Sequence, residues 1–305
     1  MAKSRILVIG ATGGIGTLIT RASVAAGHPT FALVRSSSDP AKKALIDSFE
    51  KAGISILMGS LEDYETLLDA VRRVDVVISA VGTGDLLQQL NIIKAIKAAG
   101  TIKRFVPSDY GSNTINLAGL PEPLKFAFAP KQEIHTAIRE EGIPFTVLFS
   151  HGFAGYFVAC LGQLGSKVPP RDKAVIFGDG NTKFISVTEE DIAAYVVRAA
   201  DDPRTENKYV YIRPPANILS QNEMVSLWEA KIGKPLEKTY MSKESLQKLM
   251  EETPYPRSIG VALRYTTFIM GSHFAMETGA DALEATELYP DVEYTLIDKY
   301  LDQFI

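Results

Sequence analysis

Short apolar runs alternate with stretches of 3.6-residue periodicity through the first half of the chain, the pattern of a parallel sheet with crossover helices. Arg5 to Ile9 (RILVI) is continuously apolar after its first residue, as a strand covered on both faces should be. The next stretch carries Ile15, Leu18, Ile19 and Ala22 at i, i+3, i+4 and i+7 and stops at Gly27, which predicts a helix. Further strands are expected over Thr30 to Val34, Ser55 to Met58, Val74 to Ala80, Arg104 to Val106 and Phe145 to Phe149. Helical stretches separate them, among them Glu65 to Arg73, Leu86 to Ala99 and Lys131 to Glu141, the last opening after the apolar run Phe126 to Pro130. Six such strands suggest the doubly wound order 3-2-1-4-5-6.

Beyond about residue 155 the rhythm changes. Prolines become frequent (Pro169, Pro170, Pro203, Pro214, Pro215), and strands such as Tyr209 to Ile212 stand alone in the pattern. The expected fold is therefore α/β: a Rossmann-type doubly wound parallel sheet over residues 1–155, with a smaller α/β substrate-binding lobe over 156–305 that returns segments to the sheet.

With 32 basic and 36 acidic side chains the formal charge is −4, so no concentrated basic face for nucleic acid is expected. The single cysteine, Cys160, excludes a disulfide framework and a cysteine-rich metal site, and fits a reducing compartment. Residues 142–166 carry no Asp, Glu, Lys or Arg, long enough to raise the question of a membrane span. Pro144, Ser150, His151 and five glycines make a buried strand followed by a turn the better reading. The N-terminus shows no signal-peptide architecture. A cytoplasmic protein without a membrane or nucleic-acid partner is expected, and a homodimer is left open.

Between the first strand and helix lies Gly10-Ala11-Thr12-Gly13-Gly14-Ile15-Gly16. The first glycine lets the chain turn out of the strand, the second lets backbone N–H groups approach a pyrophosphate, and the third lets helix and strand pack closely. The second strand ends on Arg35, where a site for NAD would place an acid to hold the ribose 2′-hydroxyl. A guanidinium there, with Lys42 and Lys43 following, matches a 2′-phosphate, so NADPH/NADP+ is the expected cofactor.

Ligands of such sheets bind beyond the carboxyl ends of the strands. That places Ser79, Ala80 and Val81, then Ser108, Asp109 and Tyr110, then His151, Gly152 and Phe153 near the nicotinamide end; a serine after Pro107 also suits a plain turn. No tyrosine has a lysine four residues on, so the Tyr-x-x-x-Lys acid–base pair of ordinary short-chain dehydrogenases is absent. Lys131 remains, either a surface lysine at a helix start or a chemical group. His135, one turn later, could share its face, although a structural or exposed histidine is the simpler reading. No cluster with metal-ligand spacing and no G-x-S-x-G elbow occurs. Met and Phe residues through 264–276 read as core or pocket lining.

Taken together, these residues resemble the plant phenylpropanoid reductases, an atypical NmrA-like branch of the short-chain dehydrogenases. Its members include phenylcoumaran benzylic ether reductase, pinoresinol–lariciresinol reductase, isoflavone reductase and eugenol synthase. The resemblance runs over nearly the whole chain, through Gly10–Gly16, Gly27–Thr30, Val74–Ala80, Ile102–Phe105, Phe153–Phe157, Pro169–Lys173, Tyr211–Pro215, Asn217–Gln221 and Leu288–Pro290. It implies an NADPH-dependent oxidoreductase with one catalytic lysine, which falls on Lys131, and it puts Arg35 with Lys42 or Lys43 on the 2′-phosphate. It also implies cofactor contacts from Ser108 to Tyr110 and from His151 to Phe153.

The implied chemistry is reduction of a small para-hydroxy phenolic substrate through a quinone-methide-like intermediate. Lys131 would take the phenolic proton, with an apolar wall favouring its neutral amine. Benzylic ether reduction ranks first, then eugenol- or isoeugenol-type reduction of a coniferyl ester, then isoflavone reduction; a non-enzymatic NADP-sensing regulator is the reading from another class. Phe153, Tyr156 and Phe157 are expected to wall the substrate pocket. Two departures from the family stand out. Gly14 replaces a usual tyrosine, and Ser108-Asp109-Tyr110-Gly111 replaces Ser-Glu-Phe-Gly.

Overall fold

A computed structural model describes residues 3–272 and 282–305. The first half follows the alternation expected: β1 (Ile6–Ile9), α1 (Gly14–Ala25), β2 (Thr30–Val34), α2 (Pro40–Lys51), β3 (Ser55–Met58), α3 (Tyr64–Arg72), β4 (Val76–Ser79), α4 (Gln89–Ala99), β5 (Arg104–Val106), α5 (Glu122–Glu140) and β6 (Thr146–Phe149). A 3₁₀ turn over Thr83–Gln88 precedes α4, so the helix expected from Leu86 begins three residues later. The strands run parallel in the order β3-β2-β1-β4-β5, and a parallel bridge from Phe105 to Phe145 carries the sheet on to β6.

The second half adds β7 (Gly152–Phe153), α6 (Ala154–Phe157), β8 (Lys173–Phe177), β9 (Lys183–Val187), α7 (Glu189–Ala200), β10 (Lys208–Tyr211), β11 (Ile218–Ser220), α8 (Gln221–Ile232), β12 (Glu237–Met241), α9 (Lys243–Glu252), α10 (Ser258–Arg264), β13 (Ala282–Glu284), α11 (Ala285–Leu288) and α12 (Ile297–Leu301). Residues 142–166 form β6, β7 and α6, and no helix among the described residues is long and apolar enough to cross a membrane.

The expectation for Tyr209 to Ile212 needs correction. That segment does not stand alone: β10 pairs parallel with β6, Tyr209 opposite Val147, and β13 pairs on its far side. Its partner lies some sixty residues earlier in sequence (|i−j| = 62 between Phe145 and Asn207), a distance at which local pattern carries no signal.

Side chains of β1 divide between the two faces of the sheet, as the two-residue strand period requires. Ile6 and Val8 pack with Ile19 of α1 and Ile192 and Val196 of α7. Leu7 and Ile9 pack with Leu67 of α3, Ile92 of α4 and Ile134 and Ile138 of α5. A third cluster, built around Phe157, Phe184, Trp228 and Phe268, is the core of the second lobe.

Helix α5 bears most directly on the site, and it too departs from expectation. It begins at Glu122 and runs through Pro130, so Lys131 sits in its middle and not at its start. Proline removes one i→i−4 hydrogen bond and normally ends a helix. Here the apolar stripe Leu124, Ala127, Ile134 and Ile138 is buried on both sides of Pro130, and that packing holds the two halves in line. Lys131 lies four residues after Ala127 and four before His135, on that same inward stripe. Of the apolar 264–276 stretch, Phe268 belongs to the third cluster, and residues 273–276 lie outside the described residues.

Candidate active site

At the end of β1 the chain turns at Gly10, whose φ of +83° favours glycine. A Cβ on Gly10 would lie 2.5 Å from the Ala80 carbonyl oxygen, and one on Gly16 only 2.1 Å from the Gly10 carbonyl oxygen. The turn, the end of β4 and the first turn of α1 are thus in backbone contact that no larger residue permits. Gly14 differs: a Cβ there meets nothing within 4 Å. Gly13 caps α1 without a side-chain hydrogen bond, and no acid stands in the first turn. The helix end is therefore left to an anion.

This turn opens onto a cavity of about 620 Å³ bounded by Gly10, Thr12 and Gly13, by Val34 to Ser37, by Gly59 to Glu62 and by Ala80 to Gly82. Arg35 lines it at the end of β2, and Lys42 and Ile46 line it from one face of α2. Lys43 is not among the lining residues; it is exposed, a hundred degrees round the helix from Lys42. Glycines at a helix N-terminus, two cations at the far end and a cavity of this size fit a dinucleotide carrying a third phosphate. Ala11 and Ser79 are fully buried, so they shape the floor from behind, while Ile15 packs on the first core cluster.

Beyond β5, the loop is fastened to the floor of this cavity. Ser108 donates its hydroxyl to the Val81 carbonyl at 2.9 Å, and its backbone N–H to Gln89 Oε1 at 2.9 Å. Tyr110 donates its hydroxyl to the Ser79 carbonyl at 2.6 Å, and burial pushes that phenol well above its ordinary range. Asp109, between them, turns the other way. Its side chain is 1% exposed, with Oδ1 accepting from Lys131 Nζ at 2.8 Å and Oδ2 accepting from Thr114 and His135 at 2.7 and 2.5 Å.

Burial alone would push the Asp109 carboxyl up, but the Lys131 ammonium and the hydrogen bonds from His135 and Lys131 outweigh it and hold it below the usual carboxylate range. Lys131 keeps a side-chain exposure of 15%, and the Phe128 ring lies 5.6 Å from its Nζ. The expected apolar wall is therefore one side of the amine only; a buried carboxylate holds the other. Asp109, expected as a cofactor contact, faces the lysine. His135 is not exposed: it is a buried histidine hydrogen-bonded to Asp109, and its spacing from Lys131 was the one sequence signal for this cluster. Thr114 and Gln89 had none.

The expected substrate wall divides. Gly152 and Phe153 form β7 against Ser186 and Val187, with Phe153 half-buried. Tyr156 is 41% exposed, and the Arg264 guanidinium lies 4.3 Å from its ring centre, a contact the sequence did not reveal. Phe157 does not fit the role of a wall. It is 4% exposed and packs edge-on to Phe268 within the third core cluster, because the short helix from Ala154 turns it about a hundred degrees from Tyr156, toward that core. His151 is buried at φ +63° beside the stacked ring of Tyr211.

Comparison with known proteins agrees with this arrangement. A family model described as the NmrA-like family matches residues 2–301. A phenylcoumaran benzylic ether reductase of Ginkgo biloba is 52% identical over 307 residues, covering all of both chains. Among solved structures, an isoflavone reductase superposes with a TM-score of 0.94 at 45% identity, and AtPrR2 with NADP+ and (+)-pinoresinol with 0.96 at 40%, each over the full length of both chains. A dinucleotide-binding turn, an inward lysine on the helix before β6 and full-length likeness to these reductases have one common explanation: the chain belongs to the NmrA-like family.

Proposed function

We propose that this protein is an NADPH-dependent reductase of a para-hydroxy phenylpropanoid, with reduction of a benzylic ether of the phenylcoumaran type as its reaction. The observation that carries the reading is Lys131: an amine on the buried stripe of α5, paired to Asp109, on a loop bolted to the strand ends that floor the nucleotide cavity. Support comes from relatives such as the Ginkgo phenylcoumaran benzylic ether reductase and from the structure of AtPrR2 with NADP+ and (+)-pinoresinol.

In this reading, residues 10–16 cradle the pyrophosphate, Arg35 and Lys42 hold the 2′-phosphate, and Ala80, Val81, Ser108, Gly152 and Phe153 border the nicotinamide end. When bound, NADPH supplies the hydride received by the benzylic carbon. In its neutral form the Lys131 amine takes the proton of the phenolic hydroxyl, so that the oxygen's electron pair can expel the ether oxygen at the para side chain. At the end of the turnover Lys131 returns that proton to the phenolate, and the expelled ether oxygen takes its proton from solvent. Phe153 and Tyr156 flank the phenolic ring. Residues 1–155 serve the nucleotide and residues 156–305 the substrate, except where α7, β10 and β13 rejoin the sheet. Cys160, buried and unbridged, supports a cytoplasmic setting.

The test is NADPH oxidation with a phenylcoumaran dimer of coniferyl alcohol, coniferyl acetate and an isoflavone side by side, with products identified by mass. Turnover is expected with the phenylcoumaran, and Lys131→Ala should abolish it while NADPH still binds. Tight NADPH binding with no turnover on any of the three would refute an enzymatic role. Turnover retained by Lys131→Ala would remove that residue from the mechanism.

A further inference from the structure

Asp109 has more partners than an ion pair needs. Among the described residues Oδ1 accepts from Lys131 alone, while Oδ2 takes both the Thr114 hydroxyl and His135 Nε2. Asp109, Thr114 and His135 are all buried, and the amine is the one member of the group that keeps an opening. A carboxylate bonded through one oxygen can swing about its last torsion. Two donors on Oδ2 fix that torsion and leave Oδ1 aimed at the lysine.

The imidazole is itself fixed. An ionised carboxylate only accepts, so His135 must present N–H at Nε2, which leaves Nδ1 bare in the neutral ring. Nδ1 is buried without a partner among the described residues, and a bare ring nitrogen is less costly there than an N–H lacking an acceptor. The Tyr209 ring packs 6.3 Å from the imidazole, its hydroxyl accepting from Arg139. Both chain neighbours of Asp109 are hydrogen-bonded to the end of β4, so the carboxylate keeps a set distance from the cavity floor.

We propose that Asp109 and His135 are positioning residues for the Lys131 amine: the imidazole sets the rotation of the carboxylate, and the carboxylate sets the direction of Nζ toward the phenolic oxygen. A lysine side chain otherwise has four rotatable bonds to explore. The inference rests on the reading of Lys131 as the proton-transfer group, and it adds that the aim of this group is fixed from the core, one helical turn away.

The experiment compares the wild type with Lys131→Ala, Asp109→Asn, His135→Ala and His135→Gln. It measures kcat and KM with the phenylcoumaran dimer and NADPH binding by fluorescence titration. His135→Ala and Asp109→Asn should lower kcat about 10- to 100-fold, the scale of an ångström's misplacement. KM and NADPH affinity should stay within about twofold, because binding is not what the pair controls. His135→Gln, whose amide N–H can reach the same oxygen, should restore kcat to within about threefold of wild type. Equal loss in the Ala and Gln variants, loss in NADPH binding in place of kcat, or no loss at all would overturn the proposal.

Should the variants fail to fold, ¹⁵N spectra of histidine-labelled wild type decide. A neutral Nε2–H tautomer at His135 supports the pair, and Nδ1–H overturns it. If Lys131→Ala is inactive and the pair variants are silent, this inference alone fails; if Lys131→Ala turns over normally, the reading beneath it fails.

Discussion

Gly14 and Gly16 stand two residues apart in one turn, yet replacing each by alanine should move stability in opposite directions. At Gly16 the new methyl carbon would lie 2.1 Å from the Gly10 carbonyl oxygen and 2.9 Å from its carbon, both rigid backbone. Relief requires α1 to back away from β1, and overpacking of that kind costs roughly 1–3 kcal/mol or more. At Gly14 the methyl meets nothing within 4 Å, and the residue opens a helix, where alanine is better than glycine by about 0.5–1 kcal/mol.

For a chain of this length the unfolding entropy makes 1 kcal/mol worth about 1.6 °C. Gly16→Ala should therefore melt about 2–5 °C below wild type and Gly14→Ala about 1 °C above it. Differential scanning fluorimetry resolves the first, and a urea titration with unchanged slope resolves the second. Because Gly16→Ala also displaces the phosphate-facing turn, it should weaken NADPH as well. A Gly16→Ala protein that melts with the wild type and binds NADPH normally would refute the close-approach argument for this turn.

Three further outcomes follow from the same geometry. Arg35→Ala should weaken NADPH by about 10- to 100-fold and NADH by less than about threefold, since a charge-assisted hydrogen bond is worth roughly 1.5–3 kcal/mol and only NADPH carries the phosphate that makes it; equal weakening of both in a binding titration would contradict the assignment. Phe157→Ala should cost about 3–5 kcal/mol of stability in chemical denaturation, with KM of the surviving protein little changed, because its ring fills the second core and not a substrate wall. Asp302 is held at about 2 by hydrogen bonds from Lys231 and Lys299, so its contribution to stability is full above the ordinary aspartate value and is lost as pH falls from there through about 2. Asp302→Asn should accordingly lower the melting temperature at pH 6 and leave it unchanged near pH 2.

The first five strands, the order in which they pair and the glycine turn were legible because each is local. Short continuous apolar runs, a stop glycine and a turn with fixed spacing are written into neighbouring residues, and a parallel sheet with short crossovers admits few arrangements of them. Arg35 was legible for the same reason, as the residue directly after β2. Helix α5 was not legible in its first half. Pro130 carries a local breaking signal, and only the burial of Leu124 and Ala127 against the rest of the protein overrides it.

What tertiary structure alone decided is the surroundings of the lysine. Sequence could name Lys131 and, through resemblance, assign it chemistry; the one-turn spacing even put His135 on its face. That Asp109 turns inward to join the two depends on a loop 22 residues before Lys131, tied down by the end of β4 and by Gln89 of α4. The return of β10 to β6 and the burial of Phe157 in a second core are of the same kind. Backbone periodicity and turn chemistry act between neighbours in the chain, whereas the charge and orientation of a buried group are set by whichever distant segments the packed core brings against it.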